Sequence, residues 1–364
     1  MERYIVIGAG ILGASTAYHL AKNGKKVILI DKTDHGEATR AAAGIISPWL
    51  SQKRNPKLYN VIEEGANYYP ALVKELNQLG VHVTSYSQVG SLYLHKSDNK
   101  LDIMVNDATE RRETAPEIGE VSMFSGQDVE QFVPIMSERM GAVHISGGAK
   151  VNADEFRYAL IEGAQKYGVE VIEGEAQLKE GKQVNVHVNG ETYTGKKVIV
   201  TNGAWAEQLL DEIGVKFKVK STKTQILYLE MPNQDTTSWP VIMLPNNKYI
   251  VGYHNHRVAV GAEHEENNDF DPSVSAGSVY DILKTTFKYA PGLREANFIE
   301  SRVGFRPSTS HVHPVFGALP QNQNMIIANG LSASGITSGP FLGSEITKHI
   351  LGQETVLNAM DYQF

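Results

Sequence analysis

The sequence of 364 residues contains no cysteine. This absence excludes disulfides, zinc–thiolate sites and iron–sulfur clusters, and it fits a reducing compartment. Basic residues are not in excess either, because 34 Lys and Arg stand against 41 Asp and Glu and the formal charge is -7. A chain with this balance is not expected to bind nucleic acid.

Long apolar runs and several catalytic motifs are also absent. No apolar run approaches the roughly 20 residues that cross a bilayer, and the chain enters a strand at once without a basic leader. These features predict a soluble cytoplasmic enzyme with no transmembrane segment. The sequence has no G-x-S-x-G, H-E-x-x-H or P-loop pattern, so hydrolase and P-loop chemistry have no support.

The N-terminal 31 residues carry the strongest signal that is present. A β-branched run at residues 4–7 is followed by Gly8, Gly10 and Gly13, then by a helical run, and then by a second apolar strand that ends in Asp31. This is a βαβ unit with the glycine fingerprint of dinucleotide binding in its expected context. Gly8 allows the tight turn, Gly10 lets the backbone approach a pyrophosphate, and Gly13 lets the helix pack on the sheet.

The polar groups of this unit indicate which dinucleotide it prefers. A helix that starts near Ile11 presents free N–H groups and a positive end to phosphates. Asp31, at the end of the second strand, is placed to accept hydrogen bonds from a ribose. An acidic residue there disfavours a 2′-phosphate, which makes NADP the least suitable dinucleotide.

Farther along, the pattern predicts two kinds of sheet. Short buried strands and helices recur at residues 153–205 and 325–351, whereas residues 217–305 read as consecutive strands of an antiparallel sheet with one helix at 274–289. The pattern also predicts one or two helices around Pro70, a charged helix at 98–112, a hairpin turn at Asn189 and Gly190, and a last helix that starts at Pro340. We therefore expect a discontinuous nucleotide-binding domain, formed by residues 1–85, 141–215 and 308–364. Residues 86–140 and 216–307 would form the second, substrate-binding domain.

Several motifs together resemble one family. They are the fingerprint with Asp31, the small-residue loop at 39–44, the strand end at 202–205, the segment 249–262, the turn at 304–307, and residues 329–337. In this order they are similar to the FAD-dependent amine oxidoreductases, which include D-amino acid oxidase, glycine oxidase, sarcosine oxidase and D-amino acid dehydrogenase. The resemblance implies an α/β fold with a Rossmann-like (GR2-type) FAD-binding domain and an inserted antiparallel α+β substrate domain.

The resemblance also implies which residues bind FAD, most simply without a covalent bond. The final segment would lie beside the flavin ring, where backbone amides and a helix N-terminus can stabilise the anionic reduced flavin. The implied cofactor-binding residues are Gly8, Gly10, Ile11, Leu12, Gly13, Asp31, Lys32, Thr39, Arg40, Ala43, Gly44, Ile45, Ala176, Asn202, Gly203, Trp205, Gly330, Ser334, Gly335, Ile336 and Thr337.

The substrate residues follow from the same resemblance. Arg306 matches the position whose guanidinium binds the substrate carboxylate, since a planar fork meets a planar acid at two points. Tyr249 matches a tyrosine that donates to the same carboxylate, although a strand tyrosine can equally be wall packing. Trp49, His264 and Ala333 would line the pocket, while Trp49 and His264 could also be ordinary partly buried residues.

Two departures from the glycine oxidase pattern change the expected charge of the pocket. Ala333 stands where that branch carries an arginine, and His311 stands where an acidic residue is common. Lys53 and Arg54, just beyond the small-residue loop, could attract an acidic substrate, but a solvated turn explains them equally well. Substrate identity therefore does not transfer from the best-known members.

Paired histidines offer a possible metal site. His254 and His256, and again His311 and His313, have the i, i+2 spacing that puts two imidazoles on one face of a strand. No further ligand motif accompanies either pair, so we interpret them as loop or surface histidines and expect no metal.

The activity that the resemblance implies is oxidation of a Cα–N bond. Arg306 and Tyr249 would hold the carboxylate of a small amino acid or secondary amine of the D-amino acid, glycine or sarcosine type, and hydride transfer to flavin N5 would give an imine. The electron acceptor would be oxygen or a quinone or dye. Two alternatives stand beside this hypothesis: oxidation of a 2-hydroxy acid, and a flavin-binding subunit of a larger amine dehydrogenase.

Overall fold

The computed structural model describes residues 3–50, 55–137, 139–179, 184–266 and 269–364. The helices are α1 Ile11–Lys22, α2 Pro56–Gln78, α3 Asp98–Arg112, α4 Gly126–Phe132, α5 Ala153–Lys166, α6 Ala206–Asp211, α7 Ala276–Tyr289 and α8 Gly335–Leu351. The strands are β1 Arg3–Ile7, β2 Lys26–Asp31, β3 Ile45–Ile46, β4 Tyr86–Gln88, β5 Ser91–His95, β6 Val121–Phe124, β7 Gly141–Ile145, β8 Ala149–Val151, β9 Glu170–Glu173, β10 Gln177–Lys179, β11 Asn185–Val188, β12 Glu191–Thr194, β13 Lys197–Val200, β14 Lys220–Glu230, β15 Val241–Met243, β16 Tyr249–Gly252, β17 Arg257–Glu266, β18 Asn297–Ser308, β19 Val315–Leu319 and β20 Asn322–Asn329.

A six-stranded sheet contains the N-terminal βαβ unit. Its order is β19-β20-β13-β1-β2-β9, and all neighbours are parallel except β19 and β20. Alternate residues of β1 lie on opposite faces of the sheet. Tyr4 and Val6 pack with α1 and α5, whereas Ile5 and Ile7 pack with α6 and the β11–β12 hairpin. Burial on both faces explains why the strand reads as a continuous apolar run.

Helices α1, α2 and α8 pack closely on one face of this sheet. A Cβ at Gly339 would lie 2.8 Å from Ile11 Cγ2, and one at Gly65 would lie 2.3 Å from Thr337 O. Pro340 has no N–H to donate to Ile336 O within α8, and the Tyr69 hydroxyl donates to that carbonyl instead, at 2.6 Å. The tyrosine therefore lets the helix continue through the proline.

An eight-stranded sheet forms the second half of the fold. Its order is β18-β14-β17-β16-β15-β5-β7-β6, antiparallel throughout except for the parallel pair β15 and β5. Leu227 and Leu229 of β14 face a core covered by α7, whereas Ile226 and Tyr228 face the other side. This second face is turned toward the six-stranded sheet.

Most elements agree with the sequence-based prediction. The βαβ unit, the helix at residues 98–112 and the hairpin through Asn189 and Gly190 are confirmed, and the positive φ angles of 51° and 81° at those two residues are typical of a type I′ turn. The expectation of one or two helices around Pro70 resolves into a single helix, α2. The predicted start of the last helix at Pro340 is wrong, because α8 begins at Gly335.

The division into two domains stays a proposal. Strands β1, β2, β9, β13 and β20 share the parallel sheet, and β14 to β18 share the antiparallel one. Strand β7, at the start of the predicted segment 141–215, pairs with β5 and β6 in the antiparallel sheet. We therefore propose that the boundary lies after residue 145.

None of the helices in the described part of the chain is long and apolar enough to cross a membrane.

Tyr69→Phe tests the hydrogen bond that supports α8. The substitution leaves Ile336 O buried without a partner, so we expect the free energy of unfolding to fall by about 1 to 3 kcal/mol. Urea denaturation followed by far-UV circular dichroism measures this change. Tyr158→Phe, at an exposed position of α5, is the matched control. Equal stability of the two variants would contradict the role of Tyr69.

Candidate active site

A cavity of about 780 Å³ lies between the two sheets. Its wall includes residues at the carboxyl ends of four parallel strands, namely Gly8 after β1, Asp31 of β2, Thr201 after β13 and Asn329 of β20. This edge is where ligands bind in open parallel sheets. The opposite wall includes Tyr249, His264 and Arg306 of the antiparallel sheet.

The glycine turn has the close contacts that its sequence predicts. Gly8 has a φ of +94°, and a Cβ there would lie 2.6 Å from Asn202 Cα. A Cβ at Gly13 would lie 1.8 Å from Gly8 O, so the helix can approach the strand only without a side chain. The first backbone N–H of α1, that of Ile11, donates to Thr39 Oγ1 at 3.0 Å. Thr39 thereby ties the small-residue loop to the N-terminus of α1.

Asp31 is held where a ribose acceptor is needed. Its Oδ1 accepts from the Ala9 N–H at 2.8 Å, and Arg157 Nη1 lies 3.8 Å from its Oδ2. Burial raises the pKa of Asp31 to about 6, the nearby Glu37 adds to this rise, and the Ala9 hydrogen bond and the Arg157 charge oppose it. Because this pKa is only about one unit below neutral pH, the Asp31 carboxylate is mostly ionised at pH 7, and a small further rise of its pKa would protonate it.

Arg157 was not predicted from the sequence. Its side chain is only 7% exposed, and its Nη2 lies 3.0 Å from Asp154 Oδ1 and 4.0 Å from Glu37 Oε2. One guanidinium thus links α5, the end of β2 and the small-residue loop. An arginine on an amphipathic helix ordinarily indicates a solvated face, so the sequence carried no signal for this role.

The small-residue loop joins the two sheets. A Cβ at Gly304 would lie 2.8 Å from Ala41 Cβ, and one at Gly44, which has a φ of +64°, would lie 1.6 Å from Val151 O. The Tyr253 hydroxyl donates to Ala43 O, and Arg302 Nη1 donates to Arg40 O at 3.2 Å. The loop therefore packs against β18 and β8, and its residues Thr39, Ala43 and Gly44 line the cavity.

The N-terminus of α8 forms another part of the wall. Gly335, Ile336 and Thr337 all line the cavity, and the hydroxyl of Thr337 donates to Ile45 O at 3.0 Å. Because α8 starts at Gly335 and not at Pro340, the positive end of its dipole lies at the cavity wall.

Three side chains of the antiparallel sheet line the opposite wall. Arg306 of β18 lies opposite Thr222 of β14, and His264 of β17 lies opposite Thr224 of the same strand. Tyr249 lies opposite Gly261, whose missing side chain gives the phenol room, because a Cβ there would be 2.9 Å from the hydroxyl. The period of two along a strand puts all three on one face.

The charge at this wall is unbalanced. Among the residues that the structure describes, no carboxylate lies within 4.0 Å of the Arg306 guanidinium, and burial lowers the pKa of Arg306. Burial raises the pKa of Tyr249, and the neighbouring Arg306 guanidinium opposes the rise. The hydroxyl lies beside this guanidinium, but the two groups are not aligned for a hydrogen bond. His264 is an exposed residue that lines the cavity, and partial desolvation, followed by the charges of Arg306 and Lys248, lowers its pKa, while Glu263 opposes this.

Most residues predicted for the site lie together at this cavity. Those that line it are Gly8, Gly10, Ile11, Leu12, Asp31, Lys32, Thr39, Ala43, Gly44, Ile45, Ala176, Asn202, Gly203, Trp205, Tyr249, His264, Arg306, Ala333, Ser334, Gly335, Ile336 and Thr337. Ala176 lies in the turn between β9 and β10 and not in a strand.

Four predicted residues do not line the cavity. Gly13 lies behind the glycine turn, and Gly330 packs against Thr309. Arg40 is exposed on the outer side of its loop. Trp49 was expected in the pocket but is only 2% exposed and packs in the hydrophobic core, while the preceding Pro48 lines the cavity.

The paired histidines do not form strand pairs. His254 and His256 lie in the turn between β16 and β17, where they approach Thr84 O and Gln234 O. The rings of His311 and His313 are 5.4 Å apart in an irregular segment. No cluster of three or more potential ligands for a metal occurs in the described ranges. Lys53 and Arg54 lie outside them.

Comparison with known proteins identifies the family. Residues 3–349 match the family described as "DAO: FAD dependent oxidoreductase". The chain belongs to this family. Its fold is the α/β fold of the family, and its cofactor by family membership is FAD. The resemblance drawn from the sequence motifs is thereby confirmed.

Individual relatives extend over nearly the whole chain. The uncharacterized oxidoreductase YurR of Bacillus subtilis is 44% identical to this chain, and the match covers 100% of this chain and 98% of YurR. The glycine oxidase of Geobacillus kaustophilus is 26% identical over 97% and 94%. The crystal structure of iminodiacetate oxidase (IdaA) from Chelativorans sp. BNC1 has a TM-score of 0.95 at 35% identity, covering 99% of this chain and 98% of that one.

The cavity fits the cofactor of this family. Its wall combines the carboxylate of Asp31, which can accept from a ribose, with the N-termini of α1 and α8. It also contains the glycine turn, where a side chain at Gly8 or Gly13 would clash with the neighbouring backbone. The buried Oδ1 of Asn202, at the end of β13, has no partner and can accept a hydrogen bond from a ligand. These groups would hold the dinucleotide of FAD across the carboxyl ends of the strands.

Arg157→Met tests whether this guanidinium keeps Asp31 ionised. Without the positive charge we expect the pKa of Asp31 to rise above about 6, so that a larger fraction is neutral at pH 7 and FAD binding weakens about twofold, because a neutral acceptor makes weaker hydrogen bonds. Binding should recover as the pH rises to 9. Quenching of flavin fluorescence measures the dissociation constant.

Arg157→Lys keeps the charge and is the matched control, with a smaller loss expected. A dissociation constant for Arg157→Met that equals the unmodified protein's at each pH would contradict the role given to Arg157.

Proposed function

We propose that this protein oxidises the Cα–N bond of a small amine that carries a carboxylate, such as an amino acid or an N-substituted glycine. Arg306 binds the carboxylate and Tyr249 donates to it, which fixes the position of the Cα–H bond. Bound FAD supplies the hydride acceptor for this chemistry. The imine product leaves the site and hydrolyses in water.

One observation carries this proposal. The Arg306 guanidinium is partly buried at the cavity wall and, among the residues the structure describes, has no carboxylate partner. A buried charge without a partner costs free energy, and a ligand that brings the missing carboxylate offsets that cost. The unpartnered Tyr249 hydroxyl beside it provides a second donor for the same anion.

The relatives support the same class of substrate. Glycine oxidase and iminodiacetate oxidase are named for glycine and iminodiacetate, which are both amines that carry a carboxylate. Glycine is a primary amine and iminodiacetate a secondary one. Both belong in a substrate panel for this chain.

The central experiment is anaerobic bleaching of the flavin. The purified protein, loaded with FAD, should be yellow and should lose its absorbance near 450 nm with at least one of glycine, sarcosine, iminodiacetate, proline or a D-amino acid. Readmission of air then distinguishes reoxidation by oxygen from a need for a quinone or dye. Bleaching by 2-hydroxy acids alone would overturn the proposal, and so would bleaching that requires a second protein.

Arg306→Ala tests carboxylate recognition. The substitution removes a charge-assisted contact of about 1.5 to 3 kcal/mol, so we expect KM for a carboxylated amine to rise at least tenfold. Steady-state kinetics with a redox dye measure KM and kcat. Arg294→Ala, at an exposed arginine remote from the cavity, is the matched control. An unchanged KM would remove Arg306 from this role.

Tyr249→Phe separates substrate binding from wall packing. The substitution deletes a buried hydroxyl without a partner, so the free energy of unfolding should stay the same or rise slightly. Affinity for the carboxylate should fall about threefold to tenfold, as expected for the loss of one hydrogen bond. Thermal unfolding and KM are the two measurements. Lower stability with an unchanged KM would indicate packing alone.

A further inference from the structure

His264 lies beside the proposed carboxylate site. His264 belongs to β17 and Arg306 to β18, the two strands that pair with β14 on its two sides. His264 lies opposite Thr224 and Arg306 opposite Thr222, which are two residues apart on β14. Both side chains line the cavity. A ligand held by its carboxylate on Arg306 therefore lies against the same wall as the imidazole.

The imidazole is oriented by one of its two nitrogens. Nδ1 lies 3.1 Å from the hydroxyl Oγ1 of Thr224, which is itself only 2% exposed. Within the described residues, Nε2 has no hydrogen-bond partner. One nitrogen is thus fixed by the sheet and the other is free to bind a ligand.

The other polar groups of this wall are donors or cations. Arg306 and the Tyr249 hydroxyl face the cavity, and the nearby Lys248 is paired with Glu263 and does not line the cavity. The carboxylates of the cavity wall come from residues 31–37 and 175–212, and none comes from the antiparallel sheet. An amine, which presents N–H groups, has His264 as the only unprotonated titratable side chain on the described part of this wall.

We propose that Nε2 of His264 receives the amine of the substrate and accepts its ammonium proton before the Cα–H bond breaks. This inference rests on the proposed function. The proton passes from the substrate nitrogen to Nε2, and the nitrogen lone pair becomes available. With FAD bound as the hydride acceptor, the Cα–H bond would give up its electron pair and hydrogen as hydride, and the nitrogen lone pair would form the C=N bond. The imidazolium afterwards releases its proton to water.

The surrounding charges keep the imidazole unprotonated until a substrate arrives, and the substrate itself alters them. Before substrate binds, burial and the charges of Arg306 and Lys248 keep the imidazole neutral by lowering its pKa, and Glu263 opposes them only in part. Tyr249 faces the same space as a neutral phenol. When a carboxylate pairs with Arg306, one of the charges that lowers the pKa of His264 is compensated, so the imidazole becomes a stronger base as the amine arrives.

His264→Gln and His264→Asn test this role in the FAD-loaded protein. Both side chains can hydrogen-bond but neither can take up a proton. We expect anaerobic bleaching by glycine and sarcosine at pH 7 to slow at least tenfold. The rate should then rise about tenfold per pH unit toward the pKa of the free amine. Acetate, which has the carboxylate but no amine, should bind within twofold of the unmodified protein, measured by perturbation of the flavin spectrum.

Thr224→Val keeps the imidazole and removes its anchor, so it should slow bleaching while the pH dependence of the unmodified protein is kept. A pH profile unchanged in the His264 variants would overturn the proposal. So would an equal loss of rate at every pH, since that indicates positioning alone, and so would a loss of acetate binding.

Failure of the proposed function has a different signature, because the unmodified protein would then not bleach with any amine. In that case spectral titration with glycine still decides the role of His264. Glycine affinity in His264→Gln equal to that of the unmodified protein would overturn it.

Discussion

The cavity depends on close contact between the antiparallel sheet and residues 36–44, which comprise the small-residue loop at 39–44 and the three residues before it. Phe305 of β18 donates its backbone N–H to Gly36 O at 2.8 Å. At the other end of the loop, Val151 of β8, a strand outside the eight-stranded sheet, donates to Gly44 O at 2.8 Å. Between these points, Gly304 leaves room for Ala41. Because no side chain separates the loop from the strands, the dinucleotide site of one sheet and Arg306 of the other face a single space. A larger side chain at Gly304 or Ala41 would move the two walls of the cavity apart.

The electrostatics of that space follow from its two walls. One supplies helix N-termini and the carboxylate of Asp31, which suit a dinucleotide with phosphates and a ribose. The other supplies an uncompensated guanidinium, a phenol without a partner and a neutral imidazole. In a low-dielectric site such groups interact more strongly with a ligand than they would in water. The free-energy cost of keeping them unpaired is offset when a ligand with one carboxylate and one amine binds.

The sequence predicted a helix or strand correctly where the residues of that segment alone determine its structure. The strand ending at Asp31 and the helix at residues 98–112 have the predicted bounds, since apolar runs and charged helical stretches are local signals. Tertiary contacts decided the rest. The start of α8 was missed because the Tyr69 hydroxyl satisfies the carbonyl that Pro340 leaves free, and β19 was missed because a five-residue edge strand containing Gly317 has little alternation. Most cavity residues came from family motifs, whereas Arg157 is defined only by its position in the fold.

The most direct test of this account is a crystal structure of the protein with FAD and acetate bound. The account predicts that the flavin ring lies between the N-terminus of α8 and the antiparallel sheet, with the acetate carboxylate on the Arg306 guanidinium and the Tyr249 hydroxyl. It also predicts that the adenosine ribose contacts Asp31. A flavin bound elsewhere, or a guanidinium that points away from the acetate and the ring, would contradict it.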